Sequence, residues 1–227
     1  MPKDLAEVVA GHLVTAGRLI DDDPELAYRH AEAARRRAAR LPVVREAAAE
    51  TAYAAGHWDV ALSEFRALRR MTGTDDFLPV MADCERALGR PQAALKIAKE
   101  ARRRQLEPAL AVEMIIVESG ARSDLGQQPE ARRVLHKAIL DLDDRQAAQL
   151  GPAAARLYYA YADALEKAGK QAEARQWFDD AARLDGEGET DADDRRDQLD
   201  GMLISFDDSE DDDEPEEGST GRVEETH

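Results

Sequence analysis

The stretch RLYYAYADALEKAGKQAEARQWFDDAARL, residues Arg156–Leu184, contains the pattern that decides the fold. Apolar residues recur at helical spacing on both sides of Gly169, which predicts two helices joined by a tight turn. Ala162 and Ala174 lie where two antiparallel helices must approach closely. Because such a hairpin leaves apolar surface uncovered, we expect it to pack against neighbours of the same kind.

The turn element of this hairpin, G-x-x-x-x-A, recurs upstream at nearly regular spacing. In the first copy Asp22 replaces the glycine. Successive copies are 34, 33, 37 and 43 residues apart. Two steps therefore match a helix–turn–helix unit of about 34 residues, and the later two require insertions. The alanines that end the copies are Ala27, Ala61, Ala94, Ala131 and Ala174.

This combination of period and motif resembles the tetratricopeptide repeat (TPR) over residues 1–186. The resemblance implies an all-α protein, a TPR-like α-solenoid of about five antiparallel helix pairs that form a right-handed superhelix. The Ala- and Arg-rich composition is similar to that of uncharacterised TPR proteins of GC-rich bacteria. The residues that match in the second, third and fifth units are Ala49, Gly56, Trp58, Ala61 and Phe65; Ala82, Gly89, Ala94, Ala98 and Ala101; and Ala162, Gly169, Ala174, Phe178 and Ala181.

Ten helices are predicted from this division of the chain. Prolines fit the division, because a missing N–H costs nothing in the first turn of a helix. The aspartate run 21–23 is interpreted as the N-cap of the second helix, since it lacks the ligand spacing of a calcium loop. Residues 142–152 are predicted to form a short helical turn and loop. The first helices run near 4–19, 43–55, 76–88, 108–125 and 153–168, and the second helices near 24–39, 59–71, 91–105, 129–142 and 171–184.

The net charge of −17 is concentrated at the C-terminal end. Residues 187–227 hold eighteen acidic and three basic side chains, a net of −15, so residues 1–186 carry only −2. High charge with little to bury predicts a disordered acidic tail over residues 207–227. We therefore expect a solenoid over 1–186, a capping helix with an apolar motif over 187–206, and the tail.

An apolar cluster interrupts the acidic region. We interpret it first as the end of a helix over residues 193–203 that caps the last repeat, because terminal repeats generally need a polar-faced cap. The alternative is a short motif that docks on a partner. The cluster consists of Leu199, Met202, Leu203, Ile204 and Phe206.

The sequence has no pattern typical of a catalytic, cofactor-binding or metal site. The histidines are scattered over different units, Cys84 has no histidine companion, and neither a P-loop nor a dinucleotide-binding glycine motif occurs. We therefore expect a protein that is not an enzyme and needs no cofactor. A single cysteine, no transmembrane-length apolar run and no signal peptide favour a cytoplasmic location without membrane contact.

The TPR resemblance implies a scaffold or adaptor whose first helices line a concave groove that binds a peptide or protein segment. Members with a carboxylate clamp use Lys and Asn there, whereas this chain has Glu46, Glu50 and Asp83. These carboxylates are expected to favour a basic or mixed peptide. The principal groove residues are His12, Glu46, Glu50, Tyr53, Asp83, Arg86, Glu113, Arg156, Tyr159 and Asp163, and the resemblance also assigns Val9, Ala16, Leu19, Val43, Asp76, Ile116, Gly120, Ser123 and Glu166 to the groove.

The second helices are rich in basic residues, among them Arg35–Arg37 and Arg102–Arg104. The simpler interpretation is a solvated convex face whose arginine stems cover apolar surface. The alternative function is a nucleic-acid- or ribosome-associated regulator that uses these residues as phosphate contacts. Nucleic acid is the less favoured partner, because interleaved acidic residues weaken the field and aromatic residues are sparse. A further hypothesis is that the acidic tail lies over this face or occupies a basic partner until it is displaced, and the simpler alternative is a tail that serves only solubility.

Overall fold

A computed structural model describes residues 3–186 and 188–201, which form helices and the turns between them. The chain has twelve α-helices and no strand within those ranges, which confirms the all-α prediction. The helices are α1 (Lys3–Leu19), α2 (Pro24–Ala38), α3 (Pro42–Ala54), α4 (Trp58–Thr72), α5 (Leu78–Ala87), α6 (Pro91–Ala101), α7 (Pro108–Asp124), α8 (Gln128–Leu140), α9 (Asp144–Leu150), α10 (Pro152–Glu166), α11 (Gln171–Leu184) and α12 (Ala192–Leu199).

Ten of these helices form five hairpins that stack in chain order. The pairs are α1–α2, α3–α4, α5–α6, α7–α8 and α10–α11, and the second helix of each pair packs on the first helix of the next. We call α1, α3, α5, α7 and α10 the inner helices and their partners the outer helices. Helix α9 fills the insertion that precedes the last pair, where a short helical turn was predicted.

Five boundaries differ from the prediction by two residues or more. Helix α8 ends at Leu140 rather than near 142, α10 at Glu166 rather than near 168, and α12 at Leu199 rather than at 203. Helix α5 begins at Leu78 rather than near residue 76, and α6 ends at Ala101 rather than near 105. Glu107 is extended, with ψ 142°, because Pro108 disfavours the helical conformation in the residue before it, so the connection from α6 to α7 cannot be helical throughout. The chain needs residues 102–107 to leave α6 and enter α7.

The turns follow from two kinds of residue. Gly56 and Gly169 have φ values of +76° and +75°, a region where a side chain would be strained. In the first hairpin, which lacks the glycine, Asp23 caps α2 by accepting a 3.0 Å hydrogen bond from the backbone N–H of Leu26. This confirms the N-cap interpretation of the aspartate run.

Small residues let the paired helices approach closely, and large residues fill the space beside them. Ala162 and Ala174 are completely buried in the last hairpin, as the sequence predicted. Phe178 and Leu157 are completely buried beside them. Full burial of such side chains stabilises the fold by about 1.5–3 kcal/mol each.

Helix α12 packs against α11 at the end of the solenoid. Ala192 is completely buried there, and Leu199 is partly buried against the core of the last hairpin. The rest of the predicted apolar motif, Met202, Leu203, Ile204 and Phe206, lies outside the described residues, as does the acidic tail.

Candidate functional site: the inner cavity

A cavity of about 770 Å³ opens between the turn after α1 and the helices α3, α5 and α7. Helices α3 and α5 do not pack closely on each other, whereas the other successive inner helices do. We call the space the inner cavity. It is lined by Ile20, Asp21, Glu50, Tyr53, Ala54, Phe65, Asp76, Phe77, Pro79, Val80, Asp83, Arg86, Leu110, Glu113, Ile116 and Val117.

Aromatic and aliphatic side chains form the floor of the inner cavity. Phe65 of α4 and Phe77, which precedes α5, stack with ring centroids 5.6 Å apart. Tyr53 packs edge-on against Trp58 at 5.1 Å. Ile116 enters from α7 and is only partly buried. An apolar side chain of a bound segment would find complementary surface here.

Carboxylates dominate the polar rim of the cavity. Five acidic residues line it, against the single cation Arg86. Arg86, Asp83 and Glu113 are paired within the protein, but Asp21, Glu50 and Asp76 have no ion-pair partner among residues 3–186 and 188–201. The unpaired carboxylates give this part of the rim an uncompensated negative charge.

Of the three unpaired carboxylates, Glu50 has the surroundings that least favour its ionised form. Its side chain reaches solvent in the cavity, yet the surrounding walls partly desolvate it. This desolvation, together with the charge of Glu46 one turn earlier on α3, raises the pKa of Glu50 above its ordinary value. A cation from outside the chain would relieve both effects.

A polar network closes one side of the cavity. The Tyr53 hydroxyl donates a 2.6 Å hydrogen bond to Asp83, whose other carboxylate oxygen accepts one of 2.8 Å from Arg86. Arg86 also donates to Asp124 of α7 at 2.8 Å. The guanidinium lies directly over Gly120, where a Cβ atom would come within 2.7 Å of Cζ of Arg86. The network thus links α3, α5 and α7, and Gly120 makes room for it.

The remaining predicted groove residues form two further arginine bridges. Arg156 of α10 donates a 2.8 Å hydrogen bond to Glu113 of α7 and also pairs with Glu189. Arg195 of α12 donates to the Tyr159 hydroxyl at 3.0 Å and to Asp163 at 3.3 Å. Burial and Asp191 raise the pKa of Tyr159 to about 12. Tyr159 and Asp163 therefore contact α12 rather than an open groove.

No protein-family model matches this chain, and no curated protein matches it either. Among solved structures, the chain is similar to the crystal structure of TTC0263, a thermophilic TPR protein of Thermus thermophilus. The TM-score is 0.60 at 20% sequence identity, and the match covers 87% of this chain and 100% of that chain. The fold is TPR-like. The fold prediction is thereby confirmed.

The first repeat of this TPR-like solenoid contributes less to the cavity than the resemblance implied. His12 faces α2, with its Nδ1 3.1 Å from Nδ1 of His30. Val9 and Ala16 are 3% and 1% exposed and belong to the core between α1, α2 and α3. The apolar stripe of α1 is needed for hairpin packing, so only the turn that holds Ile20 and Asp21 reaches the cavity.

Three buried glutamates were not predicted from the sequence. Glu64, Glu85 and Glu118 are 7%, 4% and 3% exposed, and each pairs with two arginines. The partners are Arg35 and Arg45 for Glu64, Arg66 and Arg90 for Glu85, and Arg102 and Arg122 for Glu118. Three of the basic residues predicted on the second helices, Arg35, Arg66 and Arg102, therefore have a buried carboxylate partner within the fold.

Potential metal ligands, the single thiol and the helix lengths are described for residues 3–186 and 188–201. No group of three or more potential ligands there could hold a metal ion. Cys84 is completely buried, and burial with the neighbouring carboxylates Asp83 and Glu85 raises the pKa of its thiol to about 12. None of the described helices is long and apolar enough to span a membrane.

Proposed function

We propose that this protein is a non-catalytic cytoplasmic scaffold or adaptor, and that its inner cavity binds a segment of another protein. The observation that carries the proposal is the uncompensated charge of Asp21, Glu50 and Asp76 around an apolar floor. TPR-like folds typically mediate protein–protein interaction, and a cavity between inner helices is where such a segment would bind.

The bound segment should combine basic and large apolar side chains. The apolar surface of Phe77, Val80 and Ile116 suits a Leu, Ile or Phe side chain, and the rim carboxylates suit Lys or Arg. The raised pKa of Glu50 supports this choice, because a nearby cation would stabilise its ionised form. An acidic segment would meet like charge on three sides.

Binding of nucleic acid by the outer helices has less support. Arginines such as Arg35, Arg66 and Arg102 are held by buried glutamates, so their charge is partly neutralised before any phosphate approaches. Nonspecific nucleic-acid binding depends on uncompensated Lys and Arg. Salt-dependent retention of the full chain on RNA would instead favour this alternative.

A random peptide library selected on the full chain in solution tests the proposal. We expect enriched peptides to carry Lys or Arg beside a large apolar residue, and to lose binding when Glu50 and Asp76 are both changed to Lys. Glu7→Lys is the matched control, because Glu7 is an exposed carboxylate of α1 whose pairing with Lys3 is loose, at 4.0 Å. Enrichment of acidic peptides would refute the proposed specificity. An equal loss of peptide binding in Glu7→Lys would refute it as well.

A further inference from the structure

A second cavity lies on the opposite side of α7 from the inner cavity. Its volume is about 720 Å³, and it is formed by the turn after α6, by α7 and by α8. We call it the outer cavity. It exists because α6 ends at Ala101, so that the turn over residues 102–107 stands where a longer α6 would continue.

The lining of the outer cavity has more cations than carboxylates, the reverse of the inner cavity, and each of these cations is paired with a carboxylate of the chain. Its lining contains five cations and two carboxylates, Glu118 and Asp141. Both arginines that pair with Glu118 are among the five. Beneath them lies an apolar floor that includes Met114, Ile115 and Val134. The cations are Arg102, Arg104, Arg122, Arg133 and Lys137.

The outermost cations can accept further carboxylates at little cost. Arg133 and Lys137 have side chains that are 61% and 65% exposed, and their partners Glu130 and Asp141 are exposed as well. Such exposed pairs contribute only about 0–1 kcal/mol, so an added anion can share or replace the existing partner. The cavity is therefore suited to a flexible acidic segment.

We propose that the outer cavity is the docking site for this chain's own acidic run, residues 207–217. That run contains nine Asp or Glu residues and no basic residue. The inner cavity repels it, because Asp21, Glu50 and Asp76 already carry uncompensated negative charge. The outer cavity offers Arg104, Arg133 and Lys137, whose side chains are at least half exposed and can share their existing partners, and an apolar floor for Pro215 and the methylene groups of the glutamates.

The length of chain beyond α12 is sufficient to reach the cavity. Helix α12 packs on the last hairpin, and the outer cavity lies between the third and fourth hairpins. At about 8–10 Å between packed helices, the path is on the order of 20–30 Å. An extended chain covers about 3.3 Å per residue, so Asp207 reaches roughly 20 Å and Glu217 roughly 50 Å from Gly201. Tethering also gives the run an effective concentration in the mM range.

Docking on the outer cavity would keep the acidic run away from the inner cavity. The tail would then bind neither a basic partner nor its own inner cavity in the resting chain. This inference is independent of the proposed function, because it concerns a different surface and a ligand within the same molecule.

Zero-length carbodiimide cross-linking of the full chain tests the inference, because the reagent joins a lysine amine to a carboxylate only when they touch. Lys137 is the reporter, and Lys167 is its matched comparator. Each has a carboxylate partner at 2.5 Å, on Asp141 and Asp163, and their side chains are 65% and 70% exposed. Lys167 also lies in the last hairpin, where the tail is attached.

At low salt we expect cross-links from Lys137 to residues 207–217 that exceed those from Lys167 roughly tenfold, reflecting the local concentration. They should disappear near 1 M NaCl, where the Debye length is about 3 Å. Equal or greater cross-linking at Lys167 would overturn the proposal. In an equimolar mixture of ¹⁴N- and ¹⁵N-labelled protein, cross-links between a ¹⁴N and a ¹⁵N chain would also overturn the proposal, because the docked tail would then belong to a second copy.

Removal of cavity charge provides the second measurement. Arg104→Gln with Arg133→Gln should reduce the Lys137 cross-links severalfold at unchanged helicity, whereas Arg183→Gln, an equally exposed arginine on α11, should not. If the double variant loses helicity, Arg133→Gln alone serves in its place. Undiminished Lys137 cross-linking in the folded variant would contradict docking at this cavity.

Discussion

Tyr53 and Asp83 join two inner helices that otherwise do not pack closely, through a 2.6 Å hydrogen bond from the tyrosine hydroxyl to Oδ2 of Asp83. Burial and the bond to Asp83 raise the pKa of Tyr53, so the hydroxyl remains a donor throughout the neutral range. Asp83 is held in place from its other oxygen by Arg86. This contact is the polar link between α3 and α5 at the edge of the inner cavity, beside a buried apolar cluster to which α3, α4 and α5 all contribute.

Tyr53→Phe removes this hydrogen bond and keeps the packing against Trp58. We expect the free energy of unfolding, measured by urea denaturation, to fall by about 1–2 kcal/mol, since the bond involves a charged acceptor. Tyr158→Phe is the control, because the partly buried Tyr158 hydroxyl makes no hydrogen bond within the described residues. Similar losses in the two variants would show that the contact with Asp83 contributes little.

Gly120 and Arg86 should be energetically coupled. Gly120→Ala improves helix propensity by about 1 kcal/mol but places Cβ against the guanidinium of Arg86. We expect the substitution to be stabilising by roughly that amount when Arg86 is also changed to Ala, and neutral or destabilising when Arg86 is present. A double-mutant cycle measures the coupling, expected at about 1 kcal/mol or more. Additivity would mean that the arginine moves away without cost.

Glu50 should favour ligand binding at the expense of stability. Its folded-state pKa lies above the ordinary value of 4.5, so the folded chain holds this proton to higher pH than the unfolded chain does. Stability is therefore lost as pH rises through the raised pKa. Because the side chain reaches solvent, Glu50→Gln should stabilise the protein at neutral pH by only roughly 0.2–0.5 kcal/mol.

The gain from Glu50→Gln should vanish below pH 4.5, where the wild-type carboxyl is protonated in both states. Thermal unfolding across pH measures this profile, and peptide binding by the same variant should weaken. Glu7→Gln makes the same change on an exposed part of α1 and should alter neither quantity. A loss of stability at neutral pH would be the opposite of what the raised pKa requires.

Cys84 should report opening of the second and third hairpins. Its side chain is completely buried and its pKa is raised to about 12, so the native thiol should resist alkylation at pH 8. In urea, alkylation should follow the loss of helicity. Mass spectrometry of samples pulsed with iodoacetamide makes the measurement, and rapid modification in native buffer would rule out stable burial.

Arg195 and Arg196 are adjacent in sequence but should differ in their effects. Arg195 lies 4.9 Å from the centre of the Phe178 ring and pairs with Glu166 and Asp163, whereas Arg196, which is similarly exposed at 25% against 23%, pairs with aspartates, the nearest of them the exposed Asp193. Arg195→Ala should increase opening of α12, measured by hydrogen exchange, by about 1–2 kcal/mol. Arg196→Ala should change it by less than about 0.5 kcal/mol. Equal effects of the two substitutions would argue against the contacts of Arg195 with Phe178, Glu166 and Asp163 as the source of stability.

The repeat pattern predicted the fold because it is local. The turn glycine, the following alanine and the helical spacing of apolar residues lie within one hairpin, and five hairpins were located from them. The TPR resemblance assigned Glu50 and Tyr53 to a groove, and both line the inner cavity. Contacts between hairpins could not be predicted as well from the sequence, because they depend on how each hairpin is rotated relative to the next. No local signal indicates that Glu118 is buried or that Arg195 covers Tyr159 and Asp163.

The arginine bridges have a mechanical consequence. Arg86 links α5 to α7, Arg156 links α7 to α10, and Arg195 links α10 to α12. On the inner side, α3 is joined to these four helices by the Tyr53–Asp83 hydrogen bond. On the outer side α4 packs on α5 and Arg66 of α4 pairs with Glu85 of α5, so the α3–α5 junction is the less closely packed side of the contact between the second and third hairpins. Because the inner cavity opens at this junction, we expect a segment wedged into it to change the curvature of the whole solenoid.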